Sequence, residues 1–201
     1  MRTTTKFSAL ALALLACATA VAASEQKTTE SSTYVHLNLK GKKIGLNPSK
    51  AHCVTDRGTG LVWELKTPDD GIHSAKNDYR WGGSGAEKTG VIFFNDWDEL
   101  IKGSNKEKLC GFSDWRVPTI EELKTLVVAN EQGLKIDTQY FFDTKDSAYW
   151  SSSAYANYPE HAQTVHFGSG NSHYYNGFKG DRLPLRLVRG KLTLQLNDLQ
   201  N

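Results

Sequence analysis

The sequence predicts an α+β domain that consists of an antiparallel sheet and two helices. Two adjacent strand-like segments come first, two helical segments occupy the middle, and further strand-like segments follow residue 148. Long polar connections join them, and strands and helices do not alternate as they do in a parallel sheet. The 201 residues, 39% of them hydrophobic, suffice for one core of this kind.

The strands are indicated by apolar runs and by the turns between them. Residues 53–56 and 61–65 flank the turn residues 57–60, which is the spacing of a tight hairpin. Further strands are predicted at residues 149–153, 164–167, 173–175 and 185–189. We expect the first and last strands to lie side by side, which would bring together the basic residues at the two ends of the domain.

Two helices are predicted between these strands. Residues 93–101 place their large apolar side chains on one helical face. The second helix follows Pro118, where Thr119 and Glu122 have the spacing of a capping box. Leu123 and the apolar residues after it supply the buried face of that helix.

The first 23 residues have the composition of a secretory signal peptide. Arg2 and Lys6 precede an uncharged apolar run over 7–16, and small residues lie just before residue 24. We therefore expect an exported protein, periplasmic or secreted, with no membrane span after the leader. The alternative is a lipoprotein anchored through Cys17, because the residues before Cys17 loosely fit a lipidation motif.

The remaining chain divides into three parts. Residues 24–50 are a tether with a candidate edge strand, residues 51–190 form the domain, and residues 191–201 are a short polar tail. Only two charged residues, both basic, precede residue 24, so the 24 basic and 22 acidic residues leave the exported chain neutral. A net charge of zero argues against a nucleic-acid-binding domain, because such a domain needs a surface rich in basic residues.

Cys53 and Cys110 are the two cysteines that remain once the leader is removed. In an oxidising compartment two cysteines most simply form a disulfide. The alternative is a pair of buried free thiols. The sequence has no closely spaced cysteine or histidine pair that would indicate a zinc site.

Four stretches of the sequence resemble a known family. They are residues 53–64, residues 110–119 followed by Glu122, residues 149–153 and residues 185–190. In this order and at this spacing they are similar to the family named after the C-terminal domain of a Legionella collagen-like adhesin. The resemblance runs over residues 51–190 and leaves out the leader and the tether.

The resemblance implies a C-type-lectin-like fold, distantly related to the formylglycine-generating enzymes, in a secreted or cell-surface bacterial protein. The adhesin itself binds sulfated glycosaminoglycans and carries a trimerising collagen stalk. This chain has no collagen repeat, so its oligomeric state stays open. It has no cysteine after Cys110, so the copper chemistry of the distant enzymes is not expected here.

Most residues of these motifs are expected to build the fold. Thr119 caps a helix that Pro118 introduces, and Arg116 has Asp114 or Glu122 as an ionic partner. The full structural set is Trp63, Asp114, Trp115, Arg116, Pro118, Thr119, Glu122, Trp150, Arg186 and Arg189. No catalytic residue is predicted, because the serines after Trp150 lack a positioned base.

The candidate ligand-binding residues lie around the last hairpin. Aromatic side chains stack on sugar rings, and lysine and arginine pair with sulfate or carboxylate groups. The predicted set is Tyr155, Tyr174, Tyr175, Lys179 and Arg182, joined by Lys40, Lys42 and Lys43 if the ends of the domain meet. The alternative is that the tyrosines are ordinary hairpin residues.

The loop over 67–90 contributes candidates for calcium, although their spacing matches no EF-hand loop: Asp69, Asp70, Asn77 and Asp78. No other cofactor is predicted. The function predicted from the sequence is an exported bacterial binding module that takes part in adhesion and recognises an extracellular glycan, with sulfated glycosaminoglycans as one class. The alternatives are an envelope enzyme whose carboxylates lie in that loop, and a structural envelope protein that binds another protein.

Overall fold

The computed structural model describes residues 33–88, 93–130, 132–173 and 177–193. The predicted leader, the first part of the tether (24–32), the end of the tail (194–201), Tyr174 and Tyr175 lie outside these residues. The described chain is α+β, with two antiparallel sheets and two α-helices, as the sequence predicts. The strands are β1 (Tyr34–Leu37), β2 (Cys53–Asp56), β3 (Val62–Glu64), β4 (Ala148–Ala154), β5 (Ala162–His166), β6 (Ser172–His173) and β7 (Val188–Arg189); the helices are α1 (Asp98–Glu107) and α2 (Ile120–Lys124).

The predicted hairpin over 53–65 is confirmed as β2 and β3, which pair antiparallel. Its turn is stabilised by the Asp56 side chain, whose oxygens accept hydrogen bonds from Gly58 N at 2.9 Å and Thr59 Oγ1 at 2.7 Å. Gly60 completes the turn with a φ of +75°, a conformation that favours glycine. The local side chains therefore determine where this hairpin turns.

The expected pairing of the first and last strands is wrong, because β7 pairs with β3, the second strand of the hairpin, and is a neighbour of neither β1 nor β2. The larger sheet has the order β1-β2-β3-β7, so β1 and β7 lie at opposite edges. The reason is that the central hairpin offers two free edges, and each terminal strand takes a different one. The lysines that follow β1 are therefore not brought beside the residues that precede β7 by strand pairing. The last strand is also shorter than predicted, because Leu187 N donates to the Glu64 carboxylate at 2.8 Å.

The first helix starts five residues later than predicted. Residues 93–97 precede it, with Phe94 N donating to Trp81 O at 3.1 Å and the Asp96 carboxylate bound to Arg80. These long-range contacts hold the segment outside the helix, although Leu100 and Ile101 are buried as the apolar pattern predicts. The second helix is confirmed with its capping box: Thr119 Oγ1 accepts from Glu122 N, and the Glu122 carboxylate accepts from Thr119 N.

The core consists of two apolar clusters. One surrounds the two cysteines and contains Trp81, Trp97, Trp115 and Trp150. The other combines residues of both sheets with residues of α2, and it contains Trp63 and Phe141. All five tryptophans are buried, so the aromatic content of the chain goes mainly into the core. None of the described helices has the length and apolar character needed to cross a membrane.

Candidate functional site

The disulfide between Cys53 and Cys110 is confirmed, with an S–S distance of 2.00 Å. It joins β2 to the short 3₁₀ turn Leu109–Gly111 that follows α1. Both cysteines are fully buried in the first apolar cluster. The bridge therefore connects the larger sheet to the helical part of the domain, and the alternative of two free thiols is excluded.

Two ion pairs connect the central motif to the rest of the fold. Arg116 donates from Nη1 and Nη2 to the two Glu122 carboxylate oxygens, at 2.6 Å each, and also to Gly190 O at 2.9 Å. Arg189 donates to both carboxylate oxygens of Asp114 at 2.9 and 2.8 Å. These hydrogen bonds from Arg189 hold the pKa of Asp114 below its usual range. Both arginines thus hold the closing segment against the central motif.

The tryptophans and serines of the motifs form hydrogen bonds with the backbone inside the domain. Trp115 Nε1 donates to Leu109 O at 3.0 Å, and Trp150 Nε1 donates to Tyr79 O at 2.6 Å. Ser152 N donates to Pro118 O at 2.7 Å, and the Ser151 hydroxyl donates to Gln163 O at 2.7 Å. These hydrogen bonds hold separate elements of the fold together.

A buried ionic network that the sequence did not indicate lies beneath the loop after β3. The fully buried Glu64 accepts from Lys66 Nζ at 2.9 Å and has His73 Nδ1 at 2.6 Å from the same oxygen. On its other side, His73 Nε2 lies 2.5 Å from the Glu107 carboxylate on α1. Arg186, also fully buried, donates to Glu64 O at 2.6 Å.

The charges of this network are tightly coupled. Burial by itself would raise the pKa of Glu64, but Lys66 and His73 outweigh burial and lower it to about 2. Burial also opposes protonation of His73, yet its hydrogen bonds to Glu64 and Glu107 leave the pKa of His73 raised. Below that pKa the imidazolium bridges two carboxylates and fastens the loop both to β3 and to α1.

These shifts predict how stability depends on pH. The Glu64 contribution is present in full above the ordinary glutamate pKa of 4.5 and is lost as the pH falls toward about 2. The His73 contribution is present in full below the ordinary histidine pKa of 6.5 and is lost as the pH rises through the raised value. The free energy of unfolding should therefore be highest between these two ordinary values.

Urea unfolding from about pH 3 to about pH 9 measures this dependence. His73→Gln should lose stability at the optimum and should lack most of the alkaline decline, because the neutral amide does not titrate. An alkaline slope of equal size in the variant and the parent protein would contradict the assignment to His73.

The calcium candidates are distributed over two clefts. Asp69 and Asp70 line a cleft of about 340 Å³ that also contains His73 and Glu107. Asn77 and Asp78 line another of about 740 Å³. Asp70 is paired with Lys76 at 2.9 Å, and Asp78 with Lys145 at 2.7 Å. Within the described residues, no group of three histidine, cysteine, aspartate or glutamate side chains could hold a metal ion. Calcium binding stays a prediction.

An exposed group of aromatic rings lies on the turn between β4 and β5. Tyr155 and Tyr158 are stacked, with ring centroids 5.5 Å apart and planes inclined by 15°. His161 meets Tyr158 edge-on at 6.0 Å, and Phe178 lies 5.9 Å from His161. Tyr158 is 41% exposed and Phe178 is 40% exposed. These four side chains form what we call the aromatic surface.

Backbone hydrogen bonds hold the turn that carries the aromatic surface. Tyr155 N donates to His161 O at 3.1 Å, and His161 N donates to Tyr158 O at 2.8 Å. An antiparallel bridge between His161 and Phe178 adds the fourth ring from a distant part of the chain. The rings are therefore presented by a closed turn, which lowers the entropy lost when a ligand binds.

Lys179 supports this turn from below and is not part of a basic surface patch. Its side chain is fully buried, with Nζ donating to Pro159 O at 2.8 Å and lying 4.4 Å from the centre of the Trp81 ring. Burial lowers the pKa of the Lys179 ammonium group. These protein contacts argue against the predicted contact between Lys179 and a ligand.

Arg182 is exposed as predicted but lies beside acidic groups. Its Nη1 donates to Asp78 O at 3.1 Å, and its Nη2 lies 3.8 Å from the Asp96 carboxylate. It lines the 740 Å³ cleft together with Asp78, Asp96 and Glu99. Lys76 also lines this cleft, and its carboxylates Asp78 and Asp96 are paired with Lys145 and Arg80. Arg182 therefore has one carboxylate, that of Asp96, as an ionic neighbour.

Of the predicted ligand residues, Tyr155 belongs to the aromatic surface, while Lys179 and Arg182 do not. Tyr174 and Tyr175 lie outside the described residues. His161 and Phe178 also belong to the surface, although the sequence did not indicate them. The aromatic character of Phe178, next to Gly177, is the only local indication in the sequence. The bridge between His161 and Phe178 joins residues that are far apart in the chain, so neighbouring residues do not reveal it.

The fold and these sites define a disulfide-linked α+β domain with an aromatic surface. Residues 52–189 match the Lcl C-terminal domain family, so the chain belongs to that family. The matched residues include the disulfide, both ion pairs of the motifs and the aromatic surface. No curated protein matches the chain, and no solved structure does.

Proposed function

We propose that this protein is an exported bacterial binding domain, periplasmic or secreted, that recognises carbohydrate through the aromatic surface. The observation that carries the proposal is the stacked pair of the partly buried Tyr155 and the exposed Tyr158 on a turn braced by a buried lysine. Family membership supports the export and the binding role. The C-type-lectin-like fold implied by the family is part of the proposal.

The chemistry of the surface suits a sugar ring. Aromatic faces offer a large apolar area with a negative potential, which attracts the C–H groups of a pyranose. A protein surface seldom exposes neighbouring aromatic rings without a binding role, because their burial would stabilise the fold.

The charge around the platform favours neutral over sulfated sugars. Recognition of sulfated glycosaminoglycans, which the resemblance implies, requires exposed cations. Of the two predicted cations near the hairpin, Lys179 is buried and Arg182 has carboxylate neighbours. We therefore assign neutral oligosaccharides to the aromatic surface.

The contacts of the loop after β3 support binding over catalysis. Asp70 and Asp78, the carboxylates that an enzyme in this loop would use, each form an ion pair with a lysine. Glu64 and His73 are engaged with each other and with Lys66 and Glu107. Among the described residues these pairs leave no nucleophile with a free positioned base in the loop.

Removing the Tyr158 ring should weaken carbohydrate binding about tenfold, and removing both Tyr155 and Tyr158 should weaken it about a hundredfold. The reason is the loss of one or two stacking contacts of about 1.4 kcal/mol each. A glycan array carrying neutral oligosaccharides and sulfated glycosaminoglycans identifies the probe, and titration calorimetry with that oligosaccharide measures the change. Running the array with and without calcium also tests the loop candidates.

The matched control is Tyr158→Phe, which keeps the ring and removes only the hydroxyl. It should retain most of the affinity that Tyr158→Ala loses. If the array shows no oligosaccharide binding, or if the alanine and phenylalanine variants bind equally well, the carbohydrate proposal fails. Binding to an envelope protein would then become the leading explanation.

A further inference from the structure

A lysine-rich loop connects β1 to β2 and precedes the family domain. We define it as residues 38–50, which lie outside the matched residues 52–189. It carries four exposed lysines, Lys40, Lys42, Lys43 and Lys50, and no acidic residue. It also exposes two large aliphatic side chains, with Leu39 50% and Leu46 60% accessible.

The lysine-rich loop has a defined conformation. The Asn38 carboxamide oxygen accepts hydrogen bonds from Lys40 N at 3.0 Å and Lys42 N at 2.9 Å. Gly41, with a φ of +75°, approaches the carbonyl of Cys110 so closely that a Cβ there would lie 2.3 Å from its oxygen. Ile44 N donates to His36 O at 3.0 Å, which returns the chain to the sheet.

The charges of this loop are not neutralised inside the protein. Among the described residues, no carboxylate lies within 4.0 Å of the four lysine ammonium groups, whereas Lys66, Lys76 and Lys145 each have such a partner. The neighbouring cleft does contain Asp69, Asp70 and Glu107 beside Leu39. Two of these three are paired, Asp70 with Lys76 and Glu107 with His73.

From these observations we infer that the lysine-rich loop is a docking surface for an anionic phospholipid bilayer. The lysines are drawn to the negative potential of the headgroups, each contributing about a fivefold gain in binding. Leu39 and Leu46 enter the boundary between headgroups and acyl chains, while the lysine stems extend toward the phosphates. The inference does not depend on the aromatic surface or on carbohydrate binding.

The two leucines decide between a bilayer and an acidic polysaccharide. A polyanionic chain in water gains from the lysines but offers no apolar interior for aliphatic side chains. The exposure of Leu39 and Leu46 to water is unfavourable, and their insertion into a bilayer would remove this cost in free energy. The exposed aliphatic residues and the unpaired lysines on a short, fixed loop therefore favour the bilayer.

Vesicle partitioning tests this inference. The protein is mixed with vesicles of phosphatidylglycerol and phosphatidylcholine, or of phosphatidylcholine alone, at low salt. We expect binding to the anionic vesicles only, and binding should fall as salt screens the lysines. Lys40→Gln/Lys42→Gln should weaken partitioning about 25-fold. Leu39→Ser/Leu46→Ser should weaken it at least several-fold without a change in net charge.

The matched control is Lys88→Gln/Lys191→Gln, which removes the same charge from two exposed lysines outside the loop. It should reduce partitioning less than threefold, and urea unfolding should show all variants folded. The inference is overturned if anionic vesicles do not bind, if the control weakens binding as much as the loop variant, or if the leucine variant binds unchanged. Heparin retention that depends on Lys40 and Lys42 without vesicle binding would likewise overturn it, in favour of a polysaccharide.

Discussion

Replacing Glu64 with glutamine is expected to lower the free energy of unfolding by about 3–5 kcal/mol. Glu64 is fully buried, and its carboxylate is the counter-ion of Lys66, which is only 3% exposed. A glutamine keeps the size of the side chain and an acceptor for Leu187 N, so the change isolates the charge. What remains is a buried ammonium group without a carboxylate, and burial already lowers the pKa of Lys66.

The double variant Glu64→Gln/Lys66→Met is the control for this prediction. Removing both charges should be less harmful than removing Glu64 alone, because the buried ammonium group disappears with its partner. Lys66→Met alone should cost less than Glu64→Gln, since Glu64 keeps His73 as a cation in acid solution. Urea unfolding near pH 6 measures all three. If the double variant is the least stable, the ionic account of this network is wrong.

Elements whose signals are local in sequence were predicted correctly. The hairpin over 53–65 depends on a turn in which Asp56 binds residues two and three positions later. The second helix begins at a capping box formed by Thr119 and Glu122, three positions apart. Both devices are complete within a few residues, so the amino-acid pattern is sufficient to place them.

Features that depend on distant partners were not predictable. The first helix begins late because Phe94 and Asp96 are held by Trp81 and Arg80, residues of another segment. Lys179 was predicted to bind a ligand because lysine pairs with sulfate or carboxylate groups. Its burial requires Pro159 and Trp81, and only the fold brings these to the ammonium group.

The candidate site was found only in part for the same reason. Tyr155 was identified by its aromatic character within a turn. Phe178 joins the surface through a bridge to His161, and the register of that bridge cannot be deduced from either segment alone. The network of Glu64, Lys66 and His73 could not be predicted from the sequence. In an antiparallel sheet with one face in solvent, a glutamate within a strand ordinarily points to the solvent.

Replacing both cysteines with serine is expected to lower the free energy of unfolding by about 4 kcal/mol. The disulfide joins residues 57 positions apart, so its loss releases a long loop in the unfolded chain. Both cysteines are fully buried, and the serine hydroxyls would also lie in an apolar cluster. Urea unfolding of the oxidised parent and of the double variant measures the difference. A loss below about 1 kcal/mol would contradict the chain-entropy account.

The loss of stability in the double serine variant should be concentrated at one end of the larger sheet. Leu37 on β1 pairs with Cys53, and Gly41 in the lysine-rich loop lies against the Cys110 carbonyl. Amide hydrogen exchange in the variant should therefore accelerate most over residues 37–44, because these residues lie against the bridged cysteines. The turn at Asp56 lies at the other end of β2 and serves as the internal reference. Equal acceleration at both ends would show that the disulfide stabilises only through the unfolded chain.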